Sequence, residues 1–216
     1  MKVLAINGSP RKDRNTATLL KNALEGASSQ GAETELIHIY DQNFKGCTSC
    51  LACRLKDGKS YSKCAQRDGL TPLLEKLLEI DVLILGSPVY FNSLTGEMRS
   101  FYERAAYPYM PIDSQSGSRF PKKINVGLIL TITANDALIK NMGINRHFEI
   151  TEQTMGFVFG SAESIIASDI SLYKDYTKYA GSHEGMAEAM QRSTENMVIY
   201  GKKAFDMGVR LLSKNV

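Results

Sequence analysis

The sequence predicts an α/β fold in which a doubly wound parallel sheet of five strands carries helices on both faces. Two observations lead to this prediction. Five short apolar segments alternate along the chain with segments whose apolar residues recur at helical spacing. The segment 82–85 is apolar without interruption, as expected of a strand that is buried on both faces of a parallel sheet.

The elements follow in order from the same patterns. The predicted strands are 2–6, 35–39, 82–85, 124–130 and 164–168. The predicted helices are 16–28, 70–78, 93–104, about 141–157 and about 183–212. Thr71 is the predicted N-cap of the second helix, with Pro72 in its first turn. An apolar stripe along the last helix is expected to face either the sheet or another subunit.

Length and composition indicate a single domain over residues 1–216, with a cysteine-rich insertion at about 46–66. The chain is 43% hydrophobic and 23% charged, and its net charge of +3 is spread out, which argues against a nucleic-acid groove. Its apolar stretches are too short to span a bilayer, so no membrane partner is expected. No signal-peptide pattern opens the sequence, and a cytoplasmic location is therefore predicted.

All four cysteines fall in one short segment with the spacing C-x2-C-x2-C-x10-C: Cys47, Cys50, Cys53 and Cys64. In a reducing compartment such clustered thiols are metal ligands or redox groups rather than structural disulfides. Spacings of this kind are typical of four-cysteine iron–sulfur sites. A zinc site with four cysteine ligands is the competing interpretation.

The loop after the first strand has the composition of a phosphate cradle. Ser9 and Thr16 offer hydroxyl groups, Asn15 offers an amide, and Arg11 offers a guanidinium fork. The N-terminus of the following helix adds free N–H groups and the positive end of a dipole. The dinucleotide fingerprint and the P-loop motif are both absent. An ordinary capped turn with solvated charges is the alternative.

The loop after the third strand has the composition of a site for a planar ring. Pro88 stiffens its start, Tyr90 and Phe91 can flank a ring, and Asn92 can bond a polar edge. The alternative is that the two aromatic side chains pack between loop and helix. In doubly wound sheets ligands bind at the carboxyl ends of the strands. The two loops together therefore predict a site for a phosphorylated, flat heteroaromatic ligand.

These motifs, together with the segments 86–90 and 98–104, resemble those of the flavodoxin-like NAD(P)H-dependent FMN reductases. With the cysteine loop added, the chain resembles their iron–sulfur flavoprotein branch. The resemblance implies a flavodoxin-like fold and an FMN whose phosphate lies on the residues Ser9, Arg11, Asn15 and Thr16. It places the ring and ribityl chain along Pro88, Val89, Tyr90, Phe91 and Asn92, with Thr131 and Thr133 near the ring.

The resemblance also implies that the four cysteines ligate a [4Fe-4S] cluster, and that a second subunit completes the FMN site in a homodimer or homotetramer. The x10 gap before Cys64 is longer than is usual in that family. Cys64 as a non-ligand, a different metal such as zinc, or no metal therefore all stay open. NAD(P)H or a redox partner protein is the expected electron donor.

Three functions follow from these expectations. The first is an FMN-dependent oxidoreductase that passes electrons between FMN and a [4Fe-4S] cluster. The second is a cluster-free NAD(P)H-dependent FMN or quinone reductase. The third is a non-catalytic FMN-binding electron carrier or regulatory protein. The histidines His38, His147 and His183 are scattered along the chain and are not expected to be catalytic. The long segment 107–123 is interpreted as a lid or as a surface connection.

Overall fold

A computed structural model describes residues 1–113, 116–173, 175–180 and 185–213. Five parallel strands form one sheet in the order β2-β1-β3-β4-β5. The strands are β1 (Lys2–Asn7), β2 (Glu33–His38), β3 (Val82–Pro88), β4 (Ile124–Thr131) and β5 (Gly160–Ala167). This is the strand order of flavodoxin-like doubly wound sheets, so the predicted fold is confirmed.

Six α-helices cover the two faces within the described residues. They are α1 (Asn15–Ser29), α2 (Thr71–Lys76), α3 (Gly96–Ala106), α4 (Asp136–Asn141), α5 (Ile144–Phe159) and α6 (Met186–Ser213). The side chains of β1 alternate between two cores, as a pleated strand requires. Leu4 and Ile6 face a core that contains Phe101 of α3 and Phe148 of α5. The opposite core is built by α1 and α6. No helix in the described part of the chain has both the length and the apolar character needed to cross a membrane.

The apolar stripe of the last helix packs on α1 and the sheet, which decides a question that the sequence left open. Gly208 of α6 lies so close to α1 that an added Cβ would stand 1.9 Å from the carbonyl oxygen of Ala23. In the same crossing, a Cβ on Gly26 would stand 2.1 Å from the carbonyl oxygen of Phe205. Ala204, Met207 and Leu211 are fully buried in this core. Small residues therefore let the two helix backbones approach.

Several predicted boundaries are wrong. The helix predicted at about 141–157 is α5, which begins later, at Ile144; the short helix α4 before it was not predicted, and Gly143, with a φ of +68°, separates the two. Thr71 is not an N-cap, since it is the first residue of α2 and its hydroxyl donates to the carbonyl of Gln66 instead. The helix predicted from residue 93 begins at Gly96, where Thr95 caps it. The strand predicted at 164–168 begins earlier, at Gly160.

The segment 107–123 is anchored to the core by aromatic side chains, as far as the described residues show. Tyr109 and Phe120 are both buried, with their ring centroids 4.9 Å apart in an edge contact. Phe120 makes a second edge contact with Phe159 at 4.8 Å. Residues 114 and 115 lie outside the described part. The anchored parts of this segment form a packed surface connection.

Candidate functional site

A cavity of about 170 Å³ lies at the carboxyl ends of the central strands, between four segments that are distant in sequence. Nine of its lining residues were predicted: Ser9, Arg11, Asn15, Thr16, Pro88, Val89, Tyr90, Thr131 and Thr133. Five others were not: Arg14, Ile132, Ile170, Ser171 and Leu172. The structure thus brings the loops after β1, β3 and β4 together, and it adds a segment that follows β5.

The loop between β1 and α1 is held in shape by its own side chains. The Ser9 amide donates to Oδ1 of Asn7 at 3.0 Å, and the Arg11 amide donates to Oγ of Ser9 at 3.1 Å. The Gly8 amide donates to the carbonyl of Gly86 at 2.7 Å, which joins this loop to the end of β3. Thr95 closes the same junction, since its hydroxyl donates to the Gly8 carbonyl at 2.7 Å. These hydrogen bonds therefore fix the loop after β1 to the end of β3.

The N-terminus of α1 opens on this cavity without a side-chain cap. Its N-cap residue is Arg14, which makes no capping hydrogen bond, and the first turn holds no acidic residue. By contrast, α3 and α4 are capped by the side chains of Thr95 and Asn135, which accept hydrogen bonds from backbone amides. Orphan N–H groups at a helix start are normally satisfied by a cap, by water or by a ligand. An anion is the group that this uncapped, positive helix end favours.

The segment after β5 forms one wall of the cavity and is bound by the cradle itself. Arg11 donates from Nη1 to the carbonyl of Leu172 at 2.7 Å, and Arg14 donates to the same oxygen at 3.3 Å. Asn15 donates from Nδ2 to the carbonyl of Ser171 at 2.8 Å. Two of the predicted phosphate residues thus also hold a wall more than 150 positions away. No local sequence signal points to Ser171 or Leu172.

The end of β4 is tied to both other loops. The hydroxyl groups of Thr16 and Thr131 lie 2.8 Å apart, and both residues are buried. The Val89 amide donates to the carbonyl of Thr131 at 2.9 Å. Thr131 therefore bridges the start of α1 and the loop after β3, while Thr133 lines the cavity beside it.

Two of the predicted residues, Phe91 and Asn92, do not line the cavity. They form the centre of a tight turn in which Tyr90 and Ser93 exchange backbone hydrogen bonds of 2.9 and 3.0 Å. Both central residues have left-handed backbones, with φ values of +48° and +62°. The side chain of Phe91 is fully exposed. Left-handed backbone costs a non-glycine residue about 1–2 kcal/mol, so this turn displays an aromatic ring to solvent at a cost in stability.

The four cysteines lie in one loop, but the described structure does not gather them around one point. Cys47 and Cys50 are exposed, Cys64 is half-buried and Cys53 is buried. Burial raises the pKa of the Cys53 thiol, the Arg54 cation lowers it, and Cys50 and Cys64 are near enough to raise it further. Among the described residues, no three cysteine, histidine or acidic side chains are placed to hold a metal ion. Four thiols are suitable ligands for a soft metal centre. Their positions in this structure, however, do not surround a single point.

Arg104 of α3 anchors the end of the cysteine loop. Its side chain is buried and donates to Oδ2 of Asp68 at 2.6 Å, to the carbonyl of Lys45 at 2.8 Å and to that of Gln66 at 3.3 Å. Its Nε lies 3.3 Å from Sγ of Cys64. One cation therefore joins the two ends of the insertion. Arg104 ends the segment 98–104 that carries part of the family resemblance, and no local sequence signal indicates this role.

The two histidines in the described part of the chain, His38 and His147, lie on different elements. His147 on α5 has Nε2 3.5 Å from the hydroxyl of Ser93, and His38 ends β2. Neither lines the cavity. His183 lies outside the described residues.

The chain is similar to known proteins in sequence. A family model described as NADPH-dependent FMN reductase matches residues 1–138. An iron–sulfur flavoprotein of Archaeoglobus fulgidus is 41% identical over 105 residues, which cover 49% of this chain and 49% of that protein. An iron–sulfur flavoprotein of Methanocaldococcus jannaschii is 37% identical over 105 residues, covering 49% of this chain and 52% of that one. The chain thus spans about half the length of the curated relatives it matches.

Solved structures resemble the fold over nearly its whole length. An NAD(P)H:quinone oxidoreductase from Methanothermobacter marburgensis superposes with a TM-score of 0.73 at 15% identity, covering 98% of both chains. An FMN-dependent NADH-azoreductase from Bacillus anthracis, solved in complex with FMN, gives a TM-score of 0.66 at 11% identity, covering 97% of this chain and 98% of that one. At such identities the likeness concerns the fold. The match over residues 1–138 decides the family: the chain belongs to the NADPH-dependent FMN reductases.

Proposed function

We propose that this protein is an FMN-dependent oxidoreductase that takes reducing equivalents from NAD(P)H or from a redox partner protein. The observation that carries the proposal is the cavity at the carboxyl ends of the strands, onto which the uncapped N-terminus of α1 opens. Family membership supports the same cofactor, because the matching model is described as an FMN reductase.

The residues of the cavity fit FMN in their chemistry. The first-turn amides of α1 and the hydroxyl groups of Ser9 and Thr16 are donors suited to a phosphate. Arg11 has five N–H donors, so its bond to Leu172 leaves others for an anion. Pro88, Val89 and Tyr90 form the opposite wall, where a planar ring can lie. The cavity therefore has a polar end for the phosphate and an apolar wall for the ring.

The chain's own residues bind and orient the cofactor. FMN, when bound, supplies the redox chemistry. The bond from Val89 to Thr131 and the bond between Thr16 and Thr131 fix the loops after β1, β3 and β4 relative to one another. The wall at Ser171 and Leu172 is held in place by hydrogen bonds from Arg11, Arg14 and Asn15. No side-chain nucleophile or general base is assigned to the reaction.

We further propose that Cys47, Cys50, Cys53 and Cys64 hold a [4Fe-4S] cluster. Support comes from the four thiols of the chain in one loop, from the names of the relatives, and from Arg104 beside Cys64. The described arrangement does not close around a cluster, so the cysteine loop must rearrange for a cluster to form. A bound cluster would supply single-electron transfer. A structural zinc ion bound by the same four cysteines is the alternative.

The proposal extends to assembly and location. Val198 and Ile199 of α6 are exposed apolar side chains, 72% and 52% accessible, which favours self-association into a dimer or tetramer. A cytoplasmic location accords with four free cysteines. Size-exclusion chromatography with light scattering tests the assembly.

One preparation tests the cofactors. The protein is purified without oxygen, its visible spectrum is recorded, and iron, acid-labile sulfide and zinc are assayed. Flavin bands, present on purification or restored by added FMN, are expected. Their absence in both cases would contradict the FMN site. Iron and sulfide near four atoms each per chain support the cluster, whereas zinc without sulfide would replace it.

A kinetic experiment then separates an enzyme from a carrier. Oxidation of NADH and NADPH is measured with a quinone or free FMN as acceptor. Steady turnover with either nucleotide supports the oxidoreductase. Negligible turnover, together with rapid reduction by a reduced ferredoxin, would favour a non-catalytic electron carrier.

A further inference from the structure

His38 is joined to the predicted phosphate cradle through one buried side chain. His38 lies at the end of β2, directly opposite Asn7 at the end of β1. Nδ1 of His38 is 2.9 Å from Nδ2 of Asn7. Asn7 is fully buried, so its amide must find partners within the protein. The carboxyl ends of two neighbouring strands thus bring an imidazole ring next to the start of the cradle.

The direction of each hydrogen bond follows from the backbone. The Ser9 amide can only donate, and it points at Oδ1 of Asn7 at 3.0 Å. The amide group of Asn7 therefore turns its NH2 toward His38, and Nδ1 of the ring must accept. A neutral ring that accepts at Nδ1 carries its proton on Nε2. The Arg11 amide in turn donates to Oγ of Ser9 at 3.1 Å, which extends the chain of bonds into the cradle.

We propose that His38 is a positioning residue for the cradle, and that its neutral ring holds Ser9 and Arg11 in the shape that binds phosphate. This inference rests on the proposed FMN site. Protonation at Nδ1 would place two donors face to face between His38 and Asn7. A flip of the Asn7 amide would relieve that conflict, but it would turn an NH2 toward the Ser9 amide. Either outcome costs the cradle one hydrogen bond, because the Ser9 amide and the protonated Nδ1 of His38 are both donors and the side chain of Asn7 has only Oδ1 as an acceptor.

The charges around His38 act in both directions. Burial lowers the pKa of His38 below 6.5, Asp41 opposes that shift, and the ammonium groups of Lys12 and Lys21 add to it. Asp41 is itself paired with Lys12 at 2.7 Å. A lowered pKa in the folded state means that the neutral ring is favoured by folding. The contribution of the neutral His38 ring to the stability of the folded protein is complete above pH 6.5, and it is lost as the pH falls through the pKa of the folded state.

The test measures FMN affinity between pH 5 and pH 8 by quenching of flavin fluorescence. Three proteins are compared: the wild type, His38→Asn and His38→Leu. The side-chain oxygen of asparagine takes the place of Nδ1 as an acceptor and does not titrate. The second ionisation of the FMN phosphate affects every protein alike, so the His38→Asn profile is the baseline. Relative to it, the wild type is expected to lose affinity about twofold to tenfold at pH 5, the value of one hydrogen bond.

The outcomes separate the two proposals. His38→Leu is expected to bind weakly at every pH, while His38→Asn matches the wild type at pH 8. Equal pH profiles for the wild type and His38→Asn would overturn the role of His38 and leave the FMN site intact. Absence of FMN binding by the wild type at every pH would overturn both. Nitrogen NMR of the FMN-free wild type gives an independent check. The proton of His38 is expected on Nε2 at pH 8, and a proton on Nδ1 would contradict the inference.

Discussion

Nε of Arg104 lies 3.3 Å from Sγ of Cys64, while Nη1 of the same guanidinium lies 2.6 Å from Oδ2 of Asp68. Burial opposes both charges of the ion pair. The hydrogen bond between them nevertheless helps to hold the pKa of Asp68 below its usual value and that of Arg104 above it, together with the amides of Leu70 and Lys45 on Asp68 and with Cys64 beside Arg104. A buried cation therefore holds the end of the cysteine loop that carries Cys64, whereas Cys47 and Cys50 at the other end are exposed.

The first prediction concerns this anchor. Arg104→Met removes the cation that pairs with Asp68 and the donor to the carbonyl of Lys45, so stability is expected to fall by about 3 kcal/mol. Arg99→Met on the same helix is the matched control, because Arg99 pairs with Glu103 at the surface. That pair is worth about 0.3–0.5 kcal/mol. Urea unfolding midpoints check the difference, and equal losses would show that Arg104 is not an anchor.

The second prediction concerns the crossing of α1 and α6. Gly208→Ala would place a Cβ 1.9 Å from the carbonyl oxygen of Ala23, and backbone cannot move away cheaply. Overpacking of this kind costs about 1–3 kcal/mol. Gly96→Ala in α3 meets no atom within 4 Å, so its stability is expected to stay level or to rise. Thermal unfolding compares the two, and a Gly208→Ala protein as stable as Gly96→Ala would refute the close crossing.

The third prediction concerns the double role proposed for Arg11. Arg11→Ala removes a phosphate donor and the bond to the carbonyl of Leu172. A charge-assisted hydrogen bond is worth about 1.5–3 kcal/mol, and Arg11 is exposed, so FMN affinity is expected to fall about tenfold. Hydrogen exchange at 171–172 is expected to accelerate in the same variant. Arg146→Ala, which removes a surface arginine of α5, should change neither value. Unchanged FMN affinity in Arg11→Ala would remove Arg11 from the phosphate site.

The fourth prediction concerns the exposed ring of Phe91. Asparagine tolerates left-handed backbone better than phenylalanine does, so Phe91→Asn is expected to stabilise the turn by about 0.5–1 kcal/mol. The ring does not line the cavity, so FMN affinity is expected to fall in this variant only if the turn folds over the bound flavin, as the family resemblance implies. Phe91→Tyr keeps the ring and should retain the affinity without the gain in stability. If Phe91→Asn binds FMN as tightly as the wild type, the ring does not contact the flavin.

Much of the candidate site could be predicted from local sequence. Ser9, Pro88 and Tyr90 lie at or just after the ends of apolar strands, and Thr16 lies in the first turn of the helix that follows β1. Parallel strands bring their carboxyl ends to one edge of the sheet. That rule needs no knowledge of distant contacts. It failed for Ser171 and Leu172, whose carbonyl groups matter here because of their position and not because of their side chains.

The sequence by itself determined the five strands, the loops that carry the candidate site and the spacing of the four cysteines, because each depends on the order of residues within one short segment. Only the tertiary structure decided that α6 packs on α1, that Arg104 holds the cysteine loop, and that His38 reaches Ser9 through Asn7. These relationships join residues that are neighbours only after the sheet has formed. The register of β1 with β2 and the close crossing of α1 and α6 determine which of these residues meet, and the local periodicity of the sequence does not specify either.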